Sequence, residues 1–240
     1  MFSSRLSCST SNGSSLAAAA LAAVSMFAAG NAQANMVLNG DFSANASSYT
    51  TFPGYSSSPN PTAPTDWNIS YTANGATGGN AGVNGTDTGF YASQGTPFAP
   101  SSTAGVTDFL FMQGAANIPS VSQTVATTAG QTYTLSYAGA ARANETVDVL
   151  DVVVSDAIAN TPIATQTPNI TNSAFTNFTL SFTAPSASTQ VEFLNNTSNS
   201  VGGTVDVANV SLTAVPEPAT LGLAALGGLG LLLLKRRRIV

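Results

Sequence analysis

The stretch QTYTLSYAG, residues 131–139, alternates in size and polarity: Tyr133, Leu135 and Tyr137 are large and apolar, while Thr132, Thr134 and Ser136 are small and polar. A period of two puts each set on its own face of a β-strand. Nothing here has helical spacing. The same pattern recurs in FTNFTLSFTA, residues 175–184, where Phe178, Leu180 and Phe182 share a face. In TVDVANVSL, residues 204–212, Val205 and Val207 begin a buried side and a register change falls near Ala208 and Asn209.

Working outward, short runs rich in Val, Thr, Phe and Tyr are separated by Gly, Asn, Pro and Ser. The expected strands are 36–42, 67–72, 109–113, 121–127, 131–138, 146–155, 163–167, 175–183, 189–195 and 205–213. Many antiparallel strands without cysteine pairs point to an all-β, two-sheet sandwich. Three polar stretches, 43–65, 73–89 and 92–107, are expected as loops. NGATGGNAGVNGTDTG is too poor in apolar side chains to enter a core. It is not a calcium-binding Gly/Asp repeat either, since it contains Asp87 alone among acids.

Both ends of the chain read as addresses. Arg5 precedes an Ala-rich apolar run, 16–29, and Ala32-Gln33-Ala34 then forms an A-x-A cleavage site. Residues 1–34 are therefore expected to be a removed signal peptide. Cys8, the one cysteine, leaves with it. At the other end an apolar run, 219–234, precedes Lys235-Arg236-Arg237-Arg238. As a helix it spans about 24 Å. That is short for a bilayer, but the basic side chains reach the headgroups. The positive tail 235–240 belongs on the cytoplasmic side, with the domain 35–214 outside.

Between Asn35 and Val215 ten carboxylates face Arg142 alone, a formal charge of about −9. Such a surface repels phosphate backbones, so no nucleic acid is expected as a partner. The chain has no histidine. His-based triads, His bases and His metal ligands are excluded.

Val215-Pro216-Glu217-Pro218, a Gly/Leu-rich apolar run and a terminal Arg cluster occur in that order. This ensemble, residues 215–240, resembles the PEP-CTERM sorting signal of Gram-negative bacteria. The resemblance implies an exosortase as partner, Pro216, Glu217 and Pro218 as the recognised residues, and a passage from membrane anchoring to the cell surface or extracellular matrix. Carriers of the signal are linked with exopolysaccharide and biofilm. Two prolines hold the backbone extended and keep the following helix from absorbing the motif.

The stretches MVLNGDFS, TDWNIS, SVSQTVATTAGQTYTLSYAGAAR and VDVANVSL together resemble galactose-binding-like jelly-roll modules, among them many carbohydrate-binding modules. The resemblance implies a jelly-roll sandwich closed by pairing of its first and last strands. Many such modules hold a structural calcium through an acid on each of those strands. Here the corresponding positions are Ser43 and Ala208, which offer no carboxylate. Asp41 and Asp206 stand near them in sequence, and no metal or cofactor is expected.

Candidate glycan contacts are loop aromatics, since sugar C–H faces stack on rings. Tyr49 and Tyr55, set among Ser and Pro, are the pair expected to be exposed; Trp67 opens a strand and is expected in the core. A carboxylate-dependent glycan hydrolase would need two facing acids. Asp148 and Asp151 in TVDVLDVVVSD have odd spacing and point to opposite faces. No catalytic residue is assigned. The expectation is a non-catalytic, exported polysaccharide-binding protein; a structural surface protein without glycan binding is the alternative, and a hydrolase the second.

Overall fold

The computed structural model describes residues 34–44, 56–57, 63–73, 80–85, 105–114, 117–141, 148–170, 173–197 and 203–216. Residues 1–33, expected to belong to a signal peptide, the apolar run 219–234 and the basic tail lie outside them. The chain groups into a unit of Ala34–Val215 and a second of Met1–Gln33 with Pro216–Val240. Among the described residues no helix is long and apolar enough to cross a membrane.

Among the described residues the first unit has twelve strands: β1 (Ser56–Ser57), β2 (Asn68–Ala73), β3 (Asn80–Gly85), β4 (Asp108–Gln113), β5 (Asn117–Ala126), β6 (Thr132–Ala141), β7 (Asp148–Asp156), β8 (Thr161–Gln166), β9 (Asn169–Ile170), β10 (Thr176–Thr183), β11 (Ser188–Asn195) and β12 (Thr204–Ala214). One sheet runs β1-β3-β4-β12-β6-β10 and the other β2-β5-β11-β7-β8, with β9 beside β7. Every pairing is antiparallel. This is the two-sheet sandwich expected from the alternation, in the jelly-roll form that the family resemblance implies.

The alternation works because each inward set meets its counterpart. Tyr133, Leu135 and Tyr137 of β6 lie opposite Phe182, Leu180 and Phe178 of β10. The rings of Tyr137 and Phe178 stack at 5.4 Å, and Tyr137 meets Phe193 of the facing sheet edge-on at 5.4 Å. One core of Val, Leu, Phe and Tyr side chains from both sheets results. Burying its apolar surface stabilises the fold by roughly 25 cal/mol per Å².

Two expectations are corrected. The segment 36–42 forms turns, not a strand. Its backbone nevertheless bonds the last strand, Met36 N–H to Leu212 C=O at 2.9 Å and Val210 N–H to Gly40 C=O at 2.8 Å. The Gly/Asn-rich stretch, expected as a loop, contains β3, and β1 falls within the stretch 43–65. Ala81 and Val83 of β3 are buried opposite Met112 and Leu110. A strand between two others needs little apolar volume of its own, because its backbone ladder and two small inward side chains suffice to fill the row.

Candidate functional site

The opening turn is the most densely tied element. Asn39 takes a left-handed conformation at φ 47°, which Asn tolerates better than most residues. Its carbonyl accepts the indole N–H of Trp67 at 3.1 Å, its side-chain amide donates to Thr65 C=O at 2.9 Å, and its Oδ1 accepts Ala44 N–H at 3.1 Å. Gly40 follows because a Cβ there would overlap the Val210 carbonyl. Phe42 then enters the core, 5.5 Å from Trp67, which itself lies 6.1 Å from Phe193.

Gln123, on the inward side of β5, completes this tie. Its Oε1 accepts Leu38 N–H at 2.8 Å, and its Nε2 donates to the carbonyls of Leu38 and Asp66, both at 2.9 Å. Sequence reasoning gave Gln123 no role. The available signal was a lone amide at an inward position between Val121 and Val125; such a buried side chain must find partners.

The C-terminal exit is equally defined. Val215 N–H donates to Thr132 C=O at 2.8 Å, and Gln131 Nε2 donates to Val215 C=O at 2.7 Å. Both backbone groups of Val215 are thus tied to the start of β6. Pro216, exposed, comes next. The sorting residues Glu217 and Pro218 lie outside the described residues, as do Ala32, Tyr49 and Tyr55. Ala34 is exposed at the start of the unit, and Asn35 bonds β12 through Oδ1 to Leu212 N–H at 2.9 Å. The structure therefore brings both junctions of the folded unit to β12.

The outer face of the sheet that contains β12 changes character along that strand. Ahead of the bulge between Ala208 and Ser211 it is covered: Phe109, Ala138 and Ala208 form a second apolar cluster with Val106, and Phe175 packs edge-on against Phe109 at 5.7 Å. Asp206 lies wholly buried on this face, opposite Phe111 and Ala140. Beyond the bulge the face is open and lined by hydroxyls. Thr132 meets Thr183 at 3.2 Å, Thr134 meets Ser181 at 3.3 Å and Ser136 meets Ser211 at 3.4 Å.

The outer face of the other sheet is also mainly neutral and polar. Asn68 stands opposite Ser122, and Ser70 shares a hydroxyl bond of 2.7 Å with Ser120. Asp151 on this side accepts bonds from Thr167 Oγ1 at 2.7 Å and Asn196 Nδ2 at 2.8 Å. Asp156, at the end of β7, accepts from Ser186 Oγ at 2.7 Å and from the Ile158 and Ala159 amides. These bonds, the Ser186 one first, hold its carboxyl below the usual range. Burial raises the Tyr137 phenol, whose hydroxyl donates to Gln166 Oε1 at 2.9 Å.

Asp41 and Asp206 do not converge. Asp41 is exposed and bonds Ser43, whereas its neighbour Gly40 meets β12 at Val210, four residues from Asp206. At about 3.3 Å per residue that separation is roughly 13 Å along the strand, far beyond two ligands of one calcium ion. Among the described residues no group of three or more acidic, Cys or His side chains is placed to hold a metal.

Residues 214–238, which begin at the last residue of β12, match the PEP-CTERM protein-sorting motif. Residues 112–209, from the end of β4 to the bulge in β12, match the family described as protein of unknown function DUF642. No curated protein matches the chain.

The solved structures similar to it include three of differing kinds. Bacteriophage CBA120 tailspike protein 4, enzymatically active domain, shares 14% identity over 75% of this chain and 21% of that one, at TM-score 0.44; the chain thus spans about one fifth of that protein's length. The module TmCBM61, solved with β-1,4-galactotriose, shares 12% identity over 76% and 99% of the two chains, at TM-score 0.44. The CBM22-1 xylan-binding domain of Paenibacillus barcinonensis Xyn10C shares 13% over 68% and 94%, at TM-score 0.42.

Proposed function

We propose that this protein is exported, processed by an exosortase near Pro216-Glu217-Pro218 and delivered to the cell surface or extracellular matrix of a Gram-negative bacterium. There its sandwich binds a neutral polysaccharide without cleaving it. The observation that supports this reading most is the sorting motif set directly behind a folded β-unit. In the chain held at Val215, the unit is what the signal delivers. Cleavage of the signal peptide after Ala34 belongs to the same route.

The choice of a neutral glycan rests on surface chemistry. The open faces carry serine, threonine, asparagine and glutamine, and ten carboxylates oppose a single arginine between Asn35 and Val215. An anionic polymer is repelled by that balance, while hydroxyl and amide groups exchange hydrogen bonds with sugar hydroxyls. Tyr49 and Tyr55 are the proposed stacking contacts.

Affinity for a soluble neutral glycan is expected between about 1 mM and 1 μM. It should vary little with salt, because hydroxyl bonds and stacking are not screened as ion pairs are. Polysaccharide pull-down and titration with the processed protein check this. Replacing both Tyr49 and Tyr55 by Ala should abolish binding and leave the melting temperature unchanged. Wild-type binding by that double variant removes the loop site. If the intact protein binds no glycan, a purely structural surface role takes the place of this reading.

A further inference from the structure

Among the described residues the sandwich has four outer strands, and they are not equally protected. β1 is two residues long. β8 contains Pro162, and its register against β7 shifts between Val154 and Ser155. β2 follows the exposed carboxylate of Asp66. Short edges, prolines, bulges and charges all discourage a further strand from adding. β10 has none of these devices. It is eight residues long, reads TNFTLSFT, and pairs with β6 in unbroken register from Thr176 to Thr183.

Its free side is defined by the ladder. Ala184, next in the chain, exchanges backbone bonds with Gln131 and Gly130 on the β6 side. Antiparallel alternation therefore turns the backbone N–H and C=O of Phe178, Leu180 and Phe182 toward β6. The N–H and C=O of Asn177, Thr179, Ser181 and Thr183 turn away from it. Among the described residues β10 has no strand on that side. Residues 157–191 contain no Asp, Glu, Lys or Arg. On a unit with a formal charge of about −9, this is a long stretch where two copies meet without repulsion.

We infer that β10 is a pairing edge for β10 of a second copy of this chain, antiparallel about a two-fold axis at Leu180. This register is the one that uses all four outward residues: Asn177 faces Thr183 and Thr179 faces Ser181, in both directions. It also keeps Phe178 opposite Phe182 on the core side, so neither copy places an apolar side chain against a polar one. The six-stranded sheets of the two copies then run on as one. Because each copy uses the same edge, the contact closes at two and does not propagate.

The test is sedimentation of the full chain in detergent at about 100 μM, where weak dimers are populated. Wild type is expected to dimerise. Thr179→Lys places a charge on the axis side, and Ser181→Pro removes an N–H that β6 does not use. Each should cut the dimer fraction roughly tenfold, with an unchanged β-sheet circular dichroism spectrum. Thr165→Lys, on exposed β8, should leave the dimer intact. Three results overturn the inference: a monomeric wild type, a dimer that survives either β10 variant, and a dimer lost equally in Thr165→Lys. Because the terminal segment is the same in every variant, association through it survives the β10 changes and counts against the inference.

Discussion

The two halves of β12 solve different problems with one strand. From Thr204 to Ala208 every residue is buried, Val205 and Val207 in the main core, and Asp206 and Ala208 on the opposite face. From Ser211 to Ala214 one face packs and the other carries hydroxyls. The bulge at Asn209, with φ 51° and its amide bonded to Gly105 C=O at 3.2 Å, separates them. The first half is fastened by layers on both sides. The second is fastened by the opening turn, through Met36 and Gly40, and by Gln131 at its end. Stability at one end of the strand is therefore packing, and at the other it depends on a short segment far away in sequence.

Emptying each anchor should break the two halves separately. Trp67→Ala removes the ring on which Phe42 and the Asn39 carbonyl rest, and Phe109→Ala opens the second apolar cluster. Each should cost about 3–5 kcal/mol by denaturant titration. Amide exchange should tell them apart. Trp67→Ala should expose the Met36 amide and loosen Val210 before Val205, and Phe109→Ala should do the reverse. Equal loosening of both halves in either variant would mean that β12 opens as one unit.

Gln123→Leu sharpens the same contrast at lower cost. It keeps the volume of the inward position and deletes three hydrogen bonds, two to Leu38 in the opening turn and one to the Asp66 carbonyl. A loss of about 1–3 kcal/mol is expected, the cost of leaving such groups unsatisfied. Protection should fall at Leu38 and Met36 while the Phe109 side keeps its exchange rates.

The strands carrying large inward side chains were legible because their period of two survives any tertiary context; Tyr133, Leu135, Tyr137 and Phe178, Leu180, Phe182 face inward as the alternation requires. The kink in β12 was also legible, in the break of pattern at Ala208 and Asn209. β3 was not. Its two apolar residues, Ala81 and Val83, carry too little signal against the surrounding glycine and asparagine, and its place is set by β4. The opening segment misled in the other direction: Met36 to Phe42 has strand-like composition, but Asn39 and Phe42 at positive φ fold it into turns. The second cluster was hidden because Phe109 and Phe175 are far apart in sequence and meet only across the sheet. The sorting signal was readable because its elements are contiguous.

A smaller effect is expected at the exit. Gln131→Ala removes the side-chain bonds to the Val215 and Thr132 carbonyls, at a half-exposed position, and should cost about 0.5–1 kcal/mol. Faster exchange at Val215 with unchanged exchange at Met36 would show that the end of β12 is held by two independent ties. If Met36 loosens as well, the second half of the strand is a single cooperative piece.

The smallest effect belongs to neither half of β12 and serves as the reference for both. Asp156 lies at the end of β7, where Ser186 and the Ile158 and Ala159 amides favour its ionised form. Its folded pKa is lowered from the ordinary 3.8. A depressed carboxyl contributes stability that is fully present above the unfolded value and disappears as pH falls through the folded one. The difference in unfolding free energy between wild type and Asp156→Asn should therefore be constant from neutrality down to about pH 5 and shrink below the unfolded value of 3.8. Asparagine keeps an acceptor for Ser186 but no charge, so the shrinking part isolates the charge. A difference that stays flat through acid would show that the three bonds to Asp156 do no more for the carboxylate than water does.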